Sequence, residues 1–137
     1  MLKSPRERGE ARCRANLLAA VTFFSATAVL ALQANAADPA AGKSVFNSNC
    51  SICHSVQPGK NMVGPSLYGI MGRKTGSVPG FHYSPANQNA NITWDPATLD
   101  KYLQSPRSVI PGTIMTYAGV KDDTKRADLI TYLSTLR

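Results

Sequence analysis

The pentapeptide Cys50-Ser51-Ile52-Cys53-His54 constrains this chain more than any other feature of its sequence. Two cysteines that are two residues apart and followed directly by a histidine are a specific signal for covalent attachment of a c-type haem. Each thiol adds to one vinyl group, and the spacing places both sulfur atoms on one face of a helical turn. His54 is then directed at the iron as its proximal ligand. The sequence therefore predicts a fold built around one covalent haem.

The cysteine pair has other uses in proteins, and the sequence favours each of them less. A disulfide is common in exported proteins, but it would not involve the histidine that follows. A thioredoxin-like redox pair lies near a βαβ pattern, and no convincing strand pattern occurs here. A structural zinc site needs four ligands. Apart from Cys13, which lies in a predicted signal peptide, the chain offers only Cys50, Cys53, His54 and His82.

Residues 1–36 have the pattern of a secretory signal peptide, with a basic start, an apolar segment and a small-residue cleavage site. The apolar run extends from 17 to 32, and the cleavage site is Ala34-Asn35-Ala36. We expect cleavage after Ala36, which leaves a haem domain of residues 37–137 in the periplasm. The alternative is an uncleaved N-terminal anchor, although the apolar run is somewhat short for a span of about 20 residues.

The charge of the chain gives no indication of nucleic-acid binding. The whole chain has a formal charge of +7. Residues 37–137 hold ten basic and six acidic residues, so the predicted mature protein has a charge of +4 before two haem propionates lower it. These basic residues form no cluster, and a mildly basic face for docking to acidic partners is all that they support.

Three segments have the features of helices. The first spans 39–49 and leads into the cysteine motif. The second begins at the Asp-Pro pair 95–96, which suits an N-cap and a first helical position, and it must end near Ser105 because proline follows. The third begins around 122–123 and places four apolar residues on one face, namely Leu129, Ile130, Leu133 and Leu136. The residues between 54 and 95 are rich in Gly, Pro, Asn and Ser. A loop of this length is uncommon in a compact domain, and we expect it to wrap around a cofactor that replaces part of the core.

The sixth iron ligand decides between electron transfer and substrate binding. Three methionines compete for this position, and most methionines only fill the core. Met115 differs because it ends the segment 110–115, in which Pro111 and Gly112 favour an extended loop that can present a thioether across the haem. We expect Met115 to be the distal ligand. The alternatives are Met62, Met71 and His82, of which the histidine is more simply explained as a surface residue.

Ligation of the iron by two protein side chains argues against an enzyme, because it leaves no position for a substrate or for oxygen. A neutral thioether favours the ferrous state, and His/Met ligation raises the reduction potential. These residues predict a carrier of single electrons. An enzyme or gas sensor with an open iron position would be the alternative class.

With these residues placed, the chain resembles class I cytochrome c, the soluble mitochondrial and alphaproteobacterial type. The resemblance covers nearly all of residues 38–137, and its motifs occur in order along the chain. Besides the cysteine motif, the matching segments are 64–69, 72–76, 79–83, 92–94, 102–103, 111–115 and 129–133. The resemblance implies the all-α cytochrome c fold, with three main helices and long loops wrapped around the haem.

The resemblance also implies roles for individual residues. The carbonyl of Pro65 would accept a hydrogen bond from Nδ1 of His54 and so fix the imidazole. Burial of a haem propionate without hydrogen-bond partners would be costly, and Arg73, Tyr83 and Trp94 would supply those partners. A polar network around Met115 would consist of Asn87, Tyr102 and Thr113. The crossing of the first and last helices would involve Gly42, Phe46, Leu129 and Tyr132.

The function that the resemblance implies is that of a periplasmic, monomeric electron carrier that shuttles between respiratory or photosynthetic complexes. Its partners would be a cytochrome bc-type complex, a terminal oxidase, a reaction centre or a dehydrogenase, with no nucleic acid and no small-molecule substrate. The alternative is a dedicated haem subunit of a periplasmic oxidoreductase.

The chain departs from the mitochondrial pattern at the exposed haem edge, where that family carries lysines. The matching positions hold Asn49, Met62, Ile114 and Asp122, whereas Arg107 keeps the charge at another. We therefore expect association with partners to depend less on salt than in the mitochondrial proteins.

Overall fold

The computed structural model describes residues 36–137, so that the predicted signal peptide, except for Ala36, lies outside the described residues. The described part contains α1 (Pro39–Asn49), α2 (Pro85–Asn89), α3 (Pro96–Gln104), α4 (Pro106–Val109) and α5 (Asp123–Ser134). Between residues 36 and 137 the only β-type pairing is an isolated bridge between Lys74 and Thr93. The all-α prediction with three main helices, α1, α3 and α5, is confirmed.

Each main helix begins at an aspartate whose carboxylate accepts hydrogen bonds from the first turn. Asp38 accepts from the backbone N–H groups of Ala40 and Ala41 at 2.8 and 3.2 Å. Asp95 and Thr98 cap each other reciprocally at the start of α3, and Asp122 caps α5. Since the first backbone N–H groups of a helix have no partner within it, these side chains explain why the helices begin where the sequence predicts.

The crossing of α1 and α5 depends on a glycine, which has no side chain, at position 42. A Cβ atom on Gly42 would overlap the backbone carbonyl of Asp128 and lie 2.8 Å from Cβ of Tyr132. The rings of Phe46 and Tyr132 pack beside this contact with their centroids 5.8 Å apart. The predicted crossing is therefore present, and Leu129, which follows Asp128 on α5, is fully buried.

A buried arginine joins α5 to α3 and to the loop before α5. Arg126 is only 4% exposed, and its guanidinium donates to Asp100 at 2.6 Å, to Asp123 at 2.8 Å and to the carbonyl of Val120 at 3.0 Å. The two carboxylates raise the pKa of Arg126. Hydrogen bonds to three separate parts of the domain thus compensate the burial of this charge.

The two short helices were not expected from the sequence. Pro106 ends one helix as predicted, but it also begins α4 directly afterwards. Ser84 and Pro85 start α2 with the same N-cap and proline arrangement that marks α3. No residue of α2 is buried, so this helix has no apolar period to reveal it. Within residues 36–137, no helix has the length and apolar character that crossing a membrane requires.

Candidate functional site

The cysteine motif continues the turns of α1 beyond its end. The backbone N–H of Cys50 donates to Phe46 at 2.8 Å, and those of Cys53 and His54 donate to the carbonyl of Cys50 at 3.0 and 2.8 Å. Both cysteines are half-buried and free. Burial, with a smaller effect of Cys53, raises the pKa of Cys50 to about 11. Residues 36–137 contain no strand beyond the isolated bridge between Lys74 and Thr93, so they lack the βαβ setting of a thioredoxin-like pair.

A structural zinc site also does not fit the described part of the chain. Between residues 36 and 137, no three side chains of His, Cys, Asp or Glu come together as metal ligands. His82 is exposed in its loop, as the sequence suggested.

His54 is oriented by the loop that follows it. Its Nδ1 lies 2.8 Å from the carbonyl of Pro65 and donates to it, since a carbonyl only accepts. Burial lowers the pKa of His54, and the charge of Arg73 acts in the same direction, while the bond to Pro65 opposes them. Burial and the charge of Arg73 thus both favour the neutral imidazole, which is the form that binds metals. Its Nε2 has no hydrogen-bond partner among residues 36–137.

Glycine at position 64 allows this arrangement. A Cβ atom there would overlap the imidazole ring of His54. The backbone N–H of Gly64 donates to the carbonyl of Cys53 at 2.8 Å, and Leu67 donates to Ser55 in the same way. The loop thus packs directly on the histidine. Sequence reasoning assigned no such role to Gly64, because a close backbone approach leaves no signal in a single sequence.

Met115 lies in the polar network that the resemblance implied. The hydroxyl of Tyr102 donates to its Sδ at 3.4 Å, and its backbone N–H donates to Thr113 at 3.3 Å. Burial raises the pKa of Tyr102, although hydrogen bonds with Thr113 and Asn87 oppose the shift. The structure therefore brings these four residues together and fixes the thioether from the side of α3.

The competing methionines have plainer surroundings. Met62 is 42% exposed, and Met71 packs half-buried against the hydrophobic core. Neither sulfur accepts a hydrogen bond from residues 36–137, unlike that of Met115. Met115 is thus the one methionine of residues 36–137 whose sulfur accepts a hydrogen bond.

The second part of the site consists of the residues predicted to bind a propionate, Arg73, Trp94 and Tyr83. Backbone hydrogen bonds place Arg73 beside Trp94, with the N–H of Trp94 donating to the carbonyl of Arg73 at 2.9 Å. The guanidinium donates to the carbonyls of Ser66 and Tyr68 at 2.9 and 3.0 Å, and within residues 36–137 it has no carboxylate partner. Burial lowers the pKa of Arg73, and the neighbouring Tyr83 opposes this. A half-buried cation without an anion suits a carboxylate supplied by a ligand.

These donors fit a covalently bound haem. The fold presents two thiols on one turn, an imidazole nitrogen and a thioether for iron, and a guanidinium for a propionate. The indole N–H of Trp94 also has no acceptor among residues 36–137, although Trp94 is buried and stacks against Tyr102 with ring centroids 4.8 Å apart. A propionate oxygen would satisfy it.

One contact at the edge of the site was not anticipated. The hydroxyl of Tyr117 donates to Oδ1 of Asn49 at 3.2 Å. This bond ties the segment after Met115 to the residue before Cys50. No periodicity or motif links positions so far apart in the sequence.

Comparison with known proteins identifies related sequences. Residues 39–137 match the model of the family described as cytochrome c. A cytochrome c2 of Rhodopila globiformis is 49% identical over 100 residues, which cover 73% of this chain and 94% of that protein. A cytochrome c of Euglena viridis is 47% identical, with 73% of this chain and 98% of that protein covered. A cytochrome c-550 of Bradyrhizobium diazoefficiens is 49% identical, with coverages of 69% and 70%.

Proposed function

The chain belongs to the cytochrome c family and carries one covalent c-type haem, and we propose that it shuttles single electrons between redox complexes in the periplasm. The observation that supports this most directly is that hydrogen bonds hold both proposed iron ligands in place. His54 is fixed by Pro65 through Nδ1, and Met115 is fixed by Tyr102 at its Sδ. Cys50 and Cys53 fit the attachment motif of the haem.

Each of these side chains contributes in a definable way. When bound, the haem iron supplies the one-electron couple between its ferric and ferrous states. His54 offers a neutral Nε2 to the iron, and the hydrogen bond to Pro65 fixes the ring orientation and its basicity. Met115 offers a neutral sulfur, which favours the ferrous state. Because hydrogen bonds hold both side chains in place, they would move little when a bound iron changed its oxidation state.

The propionate contacts stabilise the bound cofactor. We assign Arg73 and Trp94 to one propionate, because both have free donors and lie side by side. The resemblance adds Tyr83 to this group; burial raises the pKa of its phenol, and the charge of Arg73 opposes the shift. A charged carboxylate in this half-buried region requires such donors.

An absorption and ligand-binding experiment tests the ligand assignment. We expect the ferric protein to show the absorption band at the red end of the visible spectrum that a sulfur ligand produces. The ferrous protein should bind carbon monoxide only slowly. Rapid binding of carbon monoxide together with a missing sulfur band would refute Met115 as the ligand and would support an enzyme or sensor with an open iron.

Export to the periplasm rests on the predicted signal peptide. Cleavage after Ala36 would leave Ala37 as the first residue, directly before the α1 N-cap Asp38. The intact mass of the haem protein in a periplasmic fraction tests this proposal. Retention in the membrane with the mass of the full chain would instead indicate an uncleaved anchor.

The proposed partners are a cytochrome bc-type complex, a terminal oxidase, a reaction centre or a dehydrogenase. We propose a monomer that meets them transiently. A dedicated haem subunit of one oxidoreductase is a second candidate, because Ile52 and Val63 are strongly exposed beside the site and a permanent partner would cover them. Purification from the native periplasm as a monomer supports the first candidate, and a stable complex supports the second.

A further inference from the structure

The start of the predicted mature chain lies beside three carboxylates. Cleavage after Ala36 would make Ala37 the first residue, and Ala37 lines a surface depression beside the beginnings of α1 and α5. The same depression is lined by Asp38, Asp123 and Asp128, and among residues 36–137 no basic side chain lines it. A new amino group would therefore appear in a region of negative charge.

Two of these carboxylates already have partners. Asp38 caps α1 by accepting hydrogen bonds from the backbone N–H groups of Ala40 and Ala41 at 2.8 and 3.2 Å. Asp123 accepts a hydrogen bond from the buried guanidinium of Arg126 at 2.8 Å, and this contact is also an ion pair. Each of the two groups is thus engaged within the fold.

Asp128 differs from both because it is buried without a cation. It is only 8% exposed, and the backbone N–H of Asp38 donates to its Oδ1 at 2.8 Å. No other hydrogen bond from residues 36–137 reaches this carboxylate, and the ion pairs among these residues all belong to Arg126. A buried carboxylate needs hydrogen bonds and a positive partner to offset its loss of hydration. Its second oxygen is therefore available to a positively charged donor in the depression.

The hydrogen bond between Asp38 and Asp128 determines where the new amino group lies. Covalent geometry keeps the backbone nitrogen of Ala37 within about 4 Å of that of Asp38, which itself lies 2.8 Å from Oδ1 of Asp128. The nitrogen of Ala37 thus lies within about 7 Å of the carboxylate, and a first residue is free to rotate about its own Cα–C bond. Consecutive backbone nitrogens can then donate to the two oxygens of one carboxylate.

The charged groups on the other side of Ala37 do not compete with Asp128. Ala37 also lines a neighbouring depression together with Asp100 and Lys101. Asp100 already accepts a hydrogen bond from Arg126 at 2.6 Å, and the ammonium of Lys101 would repel a second cation. Asp128 is therefore the carboxylate that best suits an amino group at this position.

We propose that Asp128 binds the α-ammonium group of Ala37, so that removal of the signal peptide links the start of α1 to α5. The inference rests on the proposed cleavage after Ala36. Hydrolysis of the bond between Ala36 and Ala37 consumes one water molecule. It gives the carboxylate of Ala36 on the released peptide and the ammonium of Ala37 on the protein.

Cleavage thereby changes the charge at the beginning of α1. Before cleavage the nitrogen of Ala37 is an uncharged amide. An ammonium at this end of a helix is otherwise unfavourable, because the helix dipole is positive there. A charge-assisted hydrogen bond to Asp128 offsets that repulsion, since bonds between ionised partners are shorter and stronger than neutral ones.

Labelling of the amino group with an amine-reactive ester tests this pair, because only the neutral amine reacts. The haem protein from the periplasm is labelled briefly near neutral pH, where an unpaired α-amino group with a pKa of about 7.7 to 8.0 is partly neutral. The readout is the labelling rate at Ala37, measured by mass spectrometry of the N-terminal peptide, divided by the rate in the same protein unfolded in urea. Pairing keeps the group protonated, so we expect this ratio to be about tenfold lower in the wild type than in Asp128→Asn.

The variants differ from the wild type by one charge each. Asp128→Asn keeps an oxygen that can accept from the N–H of Asp38, so the fold should persist. The matched control is Asp122→Asn, which removes a negative charge at the start of α5 outside the depression and keeps an N-cap side chain. We expect the control to label as slowly as the wild type. Equal ratios in Asp128→Asn and in the control would overturn the proposal.

The pair also predicts how unfolding depends on pH. An ammonium whose pKa is raised in the folded protein stabilises the fold below the pKa of the unfolded chain, and this contribution is lost as the pH rises through the raised value. From about pH 7 to about pH 10, the folding equilibrium constant of the wild type should fall about tenfold more than that of Asp128→Asn. Parallel profiles of the two proteins in urea unfolding would contradict the pair.

The intact mass separates this inference from the cleavage on which it rests. A protein that starts at Ala37 but labels equally fast with and without the carboxylate of Asp128 would overturn the pair alone. A mass that places the start elsewhere, or the mass of the full chain, would overturn the cleavage site and the pair together. A start at Ala37, with slow labelling that Asp128→Asn relieves, supports both.

Discussion

The helical half of this protein and its loop half are stabilised in different ways. Helix α5 packs against both α1 and α3, and Leu99 on α3 and Leu129 and Leu133 on α5 are at most 2% exposed. The loops between residues 54 and 95 bury few large side chains and are held by hydrogen bonds between distant backbone groups, such as that from Gly69 to Leu136 at 2.7 Å.

The difference shows which half depends on the haem. Helices that bury apolar faces against each other can retain much of their structure alone, whereas a loop gains stability only from what it contacts. The loop half presents the lone pair of His54 Nε2 and the N–H groups of Arg73 and Trp94, which a bound haem would satisfy. We therefore expect loss of the haem to affect the loops first and most strongly.

Removal of both attachment cysteines should have the largest effect. The double variant Cys50→Ala, Cys53→Ala cannot form thioethers, so it should lose covalent haem completely. We expect amide exchange in the loop half to become fast, while part of the α1–α5 contact persists. Haem staining on denaturing gels and hydrogen exchange by mass spectrometry measure the two effects.

The matched control is Cys13→Ala, which changes the one cysteine outside the motif. We expect it to retain haem and to give a mature protein of unchanged mass, because residue 13 lies in the predicted signal peptide. Uniform loss of protection in both halves of the double variant would contradict the proposed division of the molecule.

Loss of the distal ligand should have the next largest effect. Met115→Ala removes the thioether that favours ferrous iron, so the reduction potential should fall by more than about 59 mV, a tenfold change in the one-electron equilibrium. Carbon monoxide should then bind rapidly to the ferrous protein. Potentiometry and stopped-flow absorption measure the two changes.

Met71→Ala serves as the control for this prediction, since Met71 is also half-buried against the core. It should lower stability but leave the potential nearly unchanged. If the effects on potential were reversed between the two variants, Met71 would be the ligand.

The contrast between the halves also explains what the sequence could predict. The main helices were predictable because their starts are encoded locally, by an aspartate and in two cases a proline, and their apolar residues recur with helical period. The helix α2 has a similar start, Ser84-Pro85, but it buries nothing, so periodicity could not reveal it. In the sequence, Pro106 predicted only the end of α3, although proline also suits the first position of a helix such as α4.

The site was predictable where its chemistry depends on particular types of residue. The spacing of Cys50, Cys53 and His54 predicts haem attachment, and the surroundings of Met115 distinguish it from other methionines. Contacts made by backbone groups could not be foreseen. For example, Arg73 donates to the carbonyls of Ser66 and Tyr68. Every residue has such a carbonyl, and only the fold determines which of them Arg73 contacts.

One added methyl group in each half gives a direct comparison. Gly42→Ala introduces a clash at the α1–α5 crossing, and overpacking of this kind costs about 2 kcal/mol, or about 10 °C in Tm for a domain of this size. The potential should stay unchanged, because the atoms nearest to a Cβ on Gly42 belong to Asp128 and Tyr132 and not to His54 or Met115. Thermal unfolding and potentiometry measure both quantities.

Gly64→Ala adds the same methyl group beside His54. Crowding should displace the imidazole and weaken its bond to Pro65, which makes the ligand less basic and raises the potential. Equal shifts of potential in the two glycine variants would show that the two halves are not separable.

The smallest expected effect concerns the N-cap of α3. Hydrogen bonds from Thr98 hold the pKa of Asp95 below its ordinary value of 3.8. A carboxylate with a lowered pKa in the folded state stabilises that state above pH 3.8, and this contribution is lost as the pH falls through the lowered value. Asp95→Asn keeps a capping side chain but cannot titrate. The variant should therefore unfold with a shallower dependence on pH below 3.8 than the wild type, while the potential at neutral pH stays the same. Chemical unfolding measured across this acidic range decides the matter, and identical pH profiles would show that the α3 cap adds nothing to the acid sensitivity of the helical half.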